Sequence, residues 1–202
     1  MSIKCHSVGK SFKNKLLFSD VTAEFKSGIC NCLTGENGTG KTTLLRIIAG
    51  LEKSDRGSVH KIGKCTYSGS NPYMLRGTVF DNLIYPLTLK RHGGHPDKDK
   101  VNEMIEQLGL RGLEHREAAT LSSGEKQKVA LGRAMIWQPD ILLLDEPTAN
   151  IDREMVREIE NILLEYVKNP SRTLLLVSHD HHQISRIAGE SWVLKENALL
   201  KV

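Results

Sequence analysis

The sequence predicts an α/β domain with a mostly parallel sheet, and three stretches carry that prediction. Residues 141–144 and 173–177 are continuous apolar runs, a pattern typical of strands buried on both faces of a sheet. A helical pattern over 153–167 lies between them, which makes a strand–helix–strand unit. Nearer the N-terminus, a strand over 29–33 leads through a glycine-rich turn into a helix over 41–49. Such units predict a parallel sheet covered by helices.

Smaller elements are predicted around this core. The segment from about 76 to 138 is more helical and more polar than its flanks, so we interpret it as an inserted helical subdomain. Residues 91–100, rich in charge and glycine, are predicted to form a loop. The other predicted elements are strands over 3–8, 21–25 and 65–67 and helices over 101–108 and 122–136.

Length and composition are those of one globular domain. The 202 residues are 39% apolar, an ordinary value for a folded protein. No run of about 18 apolar residues occurs, and residues 1–10 lack a signal-peptide core. A cytoplasmic location is therefore the default expectation. The net charge of +4 is scattered along the chain and does not indicate nucleic-acid binding. We expect the cysteines to be reduced and packed as small apolar residues: Cys5, Cys30, Cys32 and Cys65.

The glycine-rich turn fits the phosphate-loop pattern G-x-x-x-x-G-K-[ST]. Its residues are Gly35, Glu36, Asn37, Gly38, Thr39, Gly40, Lys41 and Thr42. Glycines let successive backbone N–H groups turn inward toward phosphate oxygens, and the helix that follows adds positive charge at its start. Lys41 is expected to reach the β- and γ-phosphates, and Thr42 to ligate Mg²⁺. The fold prediction becomes that of a P-loop NTPase core of the RecA-like kind.

A pair of carboxylates ends the apolar strand over 141–144. Asp145 and Glu146 follow it directly, at the sheet edge where open α/β folds bind ligands. We assign Asp145 to the metal and Glu146 to activation of the attacking water. Acids also close strands simply by starting a turn, here at Pro147; the phosphate loop favours the functional interpretation.

A third motif separates this chain from other P-loop proteins. Leu121-Ser122-Ser123-Gly124-Glu125 resembles the LSGGQ-type signature of ABC ATPases, and Asn150-Ile151-Asp152 resembles the loop that follows in that family. His179, after the strand over 173–177, is similar to the family's switch histidine. Phe12 falls where the family places an aromatic residue that stacks on adenine. These features follow the family's order along the whole chain, which therefore resembles the ATP-binding subunit of an ABC transporter.

The resemblance implies ATP and Mg²⁺ as cofactors and ATP hydrolysis coupled to transmembrane transport. It implies one domain over 1–202, in which 1–75 and 139–202 form the nucleotide-binding core with a small antiparallel β subdomain. The helical subdomain, 76–138, carries the signature. The implied catalytic residues are Glu146, His179 and Lys41. The implied ATP contacts are Phe12, Gly35, Glu36, Asn37, Gly38, Thr39, Gly40, Lys41, Thr42 and Thr43. The implied metal residues are Thr42 and Asp145. Four residues are expected to contact ATP held by the other protomer of a homodimer or pseudo-symmetric dimer: Ser122, Gly124, Glu125 and Asp152.

The chain departs from the family at two positions. Ser70 stands where the family has a metal-contacting glutamine, and a serine is too short for that role without help from water or backbone. The usual link between nucleotide state and helical subdomain is therefore in question as well. Ser123 replaces the first signature glycine, whereas Gly124, which we expect to matter more, is kept.

Other interpretations remain open from the residues alone. Ser122 and Glu125 also form an S-x-x-E capping box, which would start a helix whatever its function. Phe12 could be a core residue, and the run 179–182, His-Asp-His-His, could hold a metal. An ABC-type ATPase that acts on nucleic acid or ribosomes is the alternative function, although the single cassette favours transport. A P-loop kinase would lack 121–125.

Partner and cargo are the least defined expectations. The family docks its transmembrane permease near the missing glutamine, here 72–83, with Tyr73, Met74 and Leu75 as exposed apolar candidates. The protein would then lie on the inner face of the cell membrane, with no nucleic-acid partner. The segments 77–83 and 149–152 look somewhat like those of tungstate- and molybdate-type oxyanion importers.

Overall fold

The computed structural model describes residues 2–13, 15–89 and 96–202, whose strands form two sheets. The nine strands are β1 Ile3–Phe12, β2 Lys15–Phe25, β3 Cys30–Thr34, β4 Arg56–Lys61, β5 Cys65–Ser68, β6 Ile141–Asp145, β7 Thr173–Val177, β8 Glu190–Lys195 and β9 Ala198–Lys201. The α-helices are α1 Lys41–Ala49, α2 Val79–Thr88, α3 Lys98–Gln107, α4 Ser123–Met135, α5 Arg153–Val167 and α6 His181–Ile187.

The larger sheet has the order β5-β6-β7-β3-β8-β9, and only β9 runs antiparallel to its neighbour. The smaller sheet, β2-β1-β4, is antiparallel throughout. Helices α2 to α4 lie between β5 and β6 in the chain. The predicted fold is confirmed: a mostly parallel sheet with a small antiparallel sheet and a set of inserted helices.

Buried strand residues alternate between the two faces of the larger sheet, and each face has its own core. Leu142 and Leu144 of β6 belong to the core that includes α2, α3, α4 and α5. Leu143, between them, belongs to the core made with α1 and the small antiparallel sheet. Burial on both faces explains the continuous apolar runs of β6 and β7.

Several predicted boundaries were right and others were wrong. The observed α1, α5 and β7 have the predicted limits. The predicted loop over 91–100 was too long, because Asp97 caps α3 and the helix begins at Lys98; residues 91–95 lie outside the described residues. Helices α2 and α6 and strands β4, β8 and β9 were not predicted.

The cysteines are free, as expected, and Cys30 and Cys32 are buried with sulfur atoms 3.7 Å apart. Cys65 is only half-buried. Within the described ranges, no helix is both long enough and apolar enough to cross a bilayer.

Candidate functional site

The phosphate loop lies between the central strand β3 and the first turn of α1. Its backbone needs glycine at two points. Gly35 has a φ of 140°, and a Cβ there would collide with the Leu194 carbonyl oxygen. Gly40, at the start of α1, has a φ of 108° and lies against the Phe18 ring, 3.0 Å from where a Cβ would stand. These positions hold the turn tight and place the start of α1 at the carboxyl edge of the sheet.

Lys41 spans the loop from within. Its side chain is buried, and its Nζ donates to the carbonyl oxygens of Gly35, at 2.9 Å, and Glu36, at 2.8 Å. Burial lowers the pKa of Lys41, while the nearby charges of Glu146 and Asp145 oppose that shift. An ammonium group has three protons, and two are used by the loop. The remaining N–H is available to a phosphate group cradled by the same loop.

The hairpin of β1 and β2 carries Phe12 to the side of the phosphate loop. Phe12 pairs with Lys15, and the Lys15 Nζ donates to the Gly38 carbonyl oxygen at 3.3 Å. The Phe12 ring is 48% exposed, with the Lys10 ammonium 4.9 Å from its centroid. Phe12 is therefore an accessible aromatic surface next to the loop and not a core residue. Its stacking on adenine stays a prediction.

Asp145 and Thr42 meet across the interface between β6 and α1. The Thr42 Oγ1 donates to Asp145 Oδ2 at 2.7 Å, and Asp145 is only 2% exposed. Burial raises the pKa of Asp145, and the neighbouring Glu146 charge adds to this, whereas the Thr42 hydrogen bond opposes it. A hydroxyl and a carboxylate are hard oxygen ligands of the kind that Mg²⁺ prefers, so the two residues fit the predicted metal site.

Glu146 and His179 form a second polar pair at the same sheet edge. Glu146 has a φ of 50°, and its N–H donates to the Val177 carbonyl oxygen at 3.0 Å, which fixes it to the end of β7. Its Oε1 lies 2.9 Å from His179 Nε2. Both side chains are about one-third exposed. The pair is fixed by two adjacent strands and remains open to a reacting group.

Tyr67 is a site residue that sequence reasoning missed. It pairs with Leu143 in the register of β5 and β6, so Asp145, two residues farther along, projects from the same face. Burial raises the pKa of Tyr67, and the neighbouring negative charge of Asp145 adds to that shift. Ser70, the candidate at the family's glutamine position, lies in the turn after β5 and is half-buried. No local motif marks Tyr67, because the contact depends on strand register.

The predicted signature starts α4, as its capping pattern indicates. Ser122 is the N-cap: its Oγ accepts from the Glu125 N–H, and Glu125 Oε2 accepts from the Ser122 N–H at 2.7 Å. That backbone hydrogen bond lowers the pKa of Glu125. Asp152 similarly caps α5 by accepting from the Met155 N–H at 2.9 Å.

Gly124 lies where α4 passes α5. A Cβ on Gly124 would stand 2.6 Å from the Cγ of Met155, so the two helices approach too closely for a larger residue. None of the described hydrogen bonds of Ser122, Glu125 or Asp152 reaches the phosphate loop. The close approach therefore joins the signature to the first turn of α5, through Met155, and not to the loop at 35–42.

The remaining predicted contacts belong to the phosphate loop and α1. Thr39 Oγ1 donates to the Glu36 carbonyl oxygen at 3.0 Å, which closes the loop. Asn37 is exposed, and Thr43 is half-buried within α1. In the run 179–182, Asp180 is the N-cap of α6, and His181 and His182 are exposed. Across the described ranges, no group of three or more His, Cys, Asp or Glu side chains is arranged to hold a metal.

A groove of about 430 Å³ lies beside β5, between the turn 69–75 and helices α2 and α4. Arg133 of α4 donates to the Tyr73 carbonyl oxygen and to Asn82 Oδ1, at 3.4 Å for Asn82. Tyr73 is 73% exposed, as predicted. The prediction that Met74 and Leu75 are exposed was wrong: both are half-buried, and Met74 packs against the core.

Known proteins resemble this chain along its whole length. A sulfate/thiosulfate import ATP-binding protein of Mesostigma viride is 34% identical over 100% of the chain and 62% of the relative. A tungstate uptake ATP-binding protein of Peptoclostridium acidaminophilum is 34% identical over 93% of the chain and 91% of the relative. The chain thus spans about three-fifths of the sulfate relative and nine-tenths of the tungstate relative.

The fold is also similar to that of a solved structure, a nucleotide-free ATP-binding cassette from an ABC transporter. The TM-score is 0.83 at 22% identity, over 99% of this chain and 90% of that one. The family model described as ABC transporter matches residues 18–149, from within β2 through the phosphate loop and signature to just beyond β6. The chain belongs to the ABC transporter family.

Proposed function

We propose that this chain binds and hydrolyses ATP to drive a membrane transporter. The observation that carries the proposal is the convergence of three pairs at one sheet edge: Lys41 with the phosphate loop, Thr42 with Asp145, and Glu146 with His179. The family match and the import relatives support transport over action on nucleic acid.

Each pair has its own task in hydrolysis. Lys41 and the loop N–H groups hold the phosphates and offset their charge. Thr42 and Asp145 would hold Mg²⁺, which would supply charge neutralisation to the phosphates. Glu146 accepts a proton from water aligned with the γ-phosphorus, and His179, 2.9 Å away, holds the Glu146 carboxylate in place and faces the γ-phosphate.

The second part of the proposal is a closed dimer around two ATP molecules. Ser122, Gly124 and Asp152 belong to helix starts that make no described hydrogen bond to their own phosphate loop. A helix start with a serine hydroxyl binds anions well. In the proposal, it contacts the γ-phosphate on the opposite protomer, and closure follows because the closed pair has more contacts to ATP.

Replacement of Glu146 tests both parts. Glu146→Gln keeps the size of the side chain but removes the base, so turnover should fall by about 10²–10⁴-fold, while ATP traps a stable dimer. Size-exclusion chromatography with light scattering, with saturating ATP and with ADP, measures the dimer. Glu154→Gln, an exposed acid in the first turn of α5, is the matched control and should behave as wild type. A Glu146→Gln protein that stays monomeric in ATP would exclude the dimer scheme.

The partner in this proposal is a transmembrane permease, which would hold the chain on the cytoplasmic face of the membrane. The groove beside β5 is the proposed contact, because it pairs exposed Tyr73 with the Arg133 guanidinium. A cysteine at Tyr73 should cross-link to a co-purified permease, whereas one at Lys98, an exposed residue at the start of α3, should not. Cross-linking only from position 98 would place the permease contact at α3 and contradict a contact at the groove beside β5.

We propose an oxyanion as the cargo, since the relatives are ATP-binding proteins for tungstate uptake and for sulfate/thiosulfate import. Cells lacking the gene should lose uptake of one such anion, measured with labelled sulfate and by metal analysis for tungstate and molybdate. Uptake should return with the wild-type gene but not with Lys41→Ala. Unchanged uptake of all three would remove oxyanions from the proposal and leave the ATPase assignment intact.

A further inference from the structure

A second polar groove lies away from the phosphate loop, between α5 and α6. It has a volume of about 370 Å³, and its lining is strongly basic. Arg153 and Arg157 come from α5, one helical turn apart, and His182 and Arg186 come from α6, also one turn apart. Two helices thus each present two basic side chains to one space. We call this the α5–α6 basic groove.

Arg186 is fixed in place by the fold. Its Nε donates to Glu160 Oε2 at 2.8 Å and its Nη2 to Glu160 Oε1 at 2.6 Å. The Glu160 side chain is only 5% exposed, so the paired guanidinium has one preferred orientation at the groove wall. The outer N–H groups of Arg186 remain directed away from Glu160, because a guanidinium has five donors and this pair uses two.

The two arginines of α5 form no described ion pair. In the described part of the chain, no side-chain hydrogen bond or ion pair engages Arg153, Arg157 or His182. One carboxylate, Asp180, lines the groove, and its Oδ1 already accepts from two backbone N–H groups. With Arg186 paired to Glu160 and Asp180 as the one carboxylate of the lining, Arg153 and Arg157 together leave the groove with an excess of positive charge.

The size of the groove limits the ligand. A space of about 370 Å³ holds on the order of ten water-sized groups, enough for a small anion and its bridging waters. Guanidinium groups match the oxygen spacing of phosphate and sulfate, because they donate two parallel hydrogen bonds. The charges lie around one cavity and not along a stripe, which is the pattern for a compact anion and not for a nucleic-acid backbone.

We propose that the α5–α6 basic groove binds a small doubly charged tetrahedral oxyanion of the phosphate and sulfate class, held by Arg153, Arg157 and Arg186. The site is separate from the phosphate loop. It lies between α5, which begins directly after Asp152, and α6, which begins two residues after His179, so a bound anion would bridge the segments that follow both residues. The proposal does not depend on ATP hydrolysis.

The first test is protection of arginines from phenylglyoxal, read at each peptide by mass spectrometry. Saturating ADP with Mg²⁺ is present throughout, so that inorganic phosphate cannot act by entering the phosphate loop. Phosphate should slow modification of Arg153 and Arg157 several-fold. Arg111, whose side chain is 78% exposed and lies outside the groove, should react at the same rate with and without phosphate. Equal rates at Arg153 and Arg157 with and without phosphate would overturn the proposal.

The second test uses charge-matched variants. Sulfate, titrated against chloride at constant ionic strength, should stabilise the ADP-saturated wild type to a saturating degree in thermal unfolding. The Arg153→Gln/Arg157→Gln double variant should lose that effect. The Lys64→Gln/Lys98→Gln variant removes two exposed cations elsewhere and should keep it. Loss in both pairs, or in neither, contradicts a specific site.

Two further arms separate this site from other sources of the same effect. Lys41→Ala should lose nucleotide binding but keep the phosphate protection of Arg153 and Arg157, so failure of the nucleotide site is distinguishable from failure of the groove. Vesicles containing phosphatidic acid should give no more protection than free phosphate. Protection by vesicles alone would replace the free anion with a lipid headgroup and so refute the proposal as stated.

Discussion

Polar side chains lie both at the phosphate-loop edge and at the starts of α4 and α5, but their hydrogen-bond partners differ. At the loop edge, side chains from distant segments engage one another: Thr42 with Asp145 at 2.7 Å and Glu146 with His179 at 2.9 Å. At the helix starts, Ser122 and Asp152 bond only within their own first turns. Folding brings the loop-edge residues together from distant segments. The helix starts are satisfied within their own first turns and make no described side-chain hydrogen bond to the phosphate loop.

This contrast distinguishes motif residues that have a local structural role from motif residues that have none. The loop-edge residues are not explained by local structure, since Lys41 and Asp145 are buried charged groups with shifted pKa values. The helix-start residues are explained locally, by capping and by close packing at Gly124. Variants that keep the capping or packing role of a helix-start residue but change its charge or size can therefore test whether the residue also contacts ATP.

The largest expected effect is at Asp145. Asp145→Asn should lower Mg²⁺-dependent turnover by about 10²-fold or more, since it removes the charged oxygen ligand. Burial raises the pKa of Asp145, so ionisation carries a cost to stability that is complete above the raised pKa and absent below the unfolded value. The variant should therefore unfold at pH 8, without Mg²⁺, at the same temperature as wild type or higher.

Differential scanning fluorimetry with and without Mg²⁺, beside an ATPase assay, gives both quantities. Asp140→Asn is the control, because Asp140 lies at the other end of β6 and accepts from the Lys64 N–H at 2.8 Å. It should lose some stability but keep its response to Mg²⁺. A large loss of stability in Asp145→Asn would show that this carboxylate serves the fold.

Ser122→Asp should produce the next largest effect. Aspartate is as good an N-cap as serine, so the free energy of unfolding should change by less than about 0.5 kcal/mol. A carboxylate facing the γ-phosphate of the opposite protomer would weaken ATP-induced dimerisation at least about tenfold. ATP binding to the monomer should be unchanged. Ser122→Asn, capped but neutral, should dimerise far better, and equal dimerisation of the two would argue that Ser122 only caps α4.

Gly124→Ala tests the packing of α4 on α5. Its Cβ would stand 2.6 Å from Met155 Cγ, and such overpacking costs about 1–3 kcal/mol in chemical denaturation. In a Met155→Ala background, Gly124→Ala should cost much less stability, because the side chain that it would collide with is absent. We expect dimerisation to remain weak in that double variant, because the methyl group also blocks approach to the γ-phosphate. Full recovery of dimerisation would make Gly124 a packing residue alone.

The smallest effect concerns Tyr67. Tyr67→Phe removes the polar hydroxyl beside the Asp145 carboxylate, so nucleotide affinity with Mg²⁺ should fall several-fold. Affinity in EDTA should not change, which a general loss of stability would not explain. Fluorescent-nucleotide titrations measure both affinities. Tyr85→Phe, which changes another tyrosine that lines the groove beside β5, is the control and should match wild type in both affinities.

Sequence reasoning succeeded where one short segment carries its own signal. The limits of α5 and β7 follow from apolar spacing, and the phosphate loop from its glycines. It failed where structure depends on distant partners. Helix α2 contains Pro86, which suggests a break, although the proline lies in its last turns. Strand β4 is mostly exposed and shows no apolar alternation. Tyr67 reaches Asp145 only through the register of β5 and β6.

The backbone at Glu146 also has a consequence for selection. Its φ of 50° is a conformation that costs a non-glycine residue on the order of 1 kcal/mol or more. Glycine or asparagine would adopt it more easily. The backbone conformation at this position therefore disfavours glutamate, and its presence there indicates a role for the side chain. A relative that no longer hydrolyses nucleotide should therefore carry glycine or asparagine at this position. Such a protein should unfold at a higher temperature than one with glutamate there.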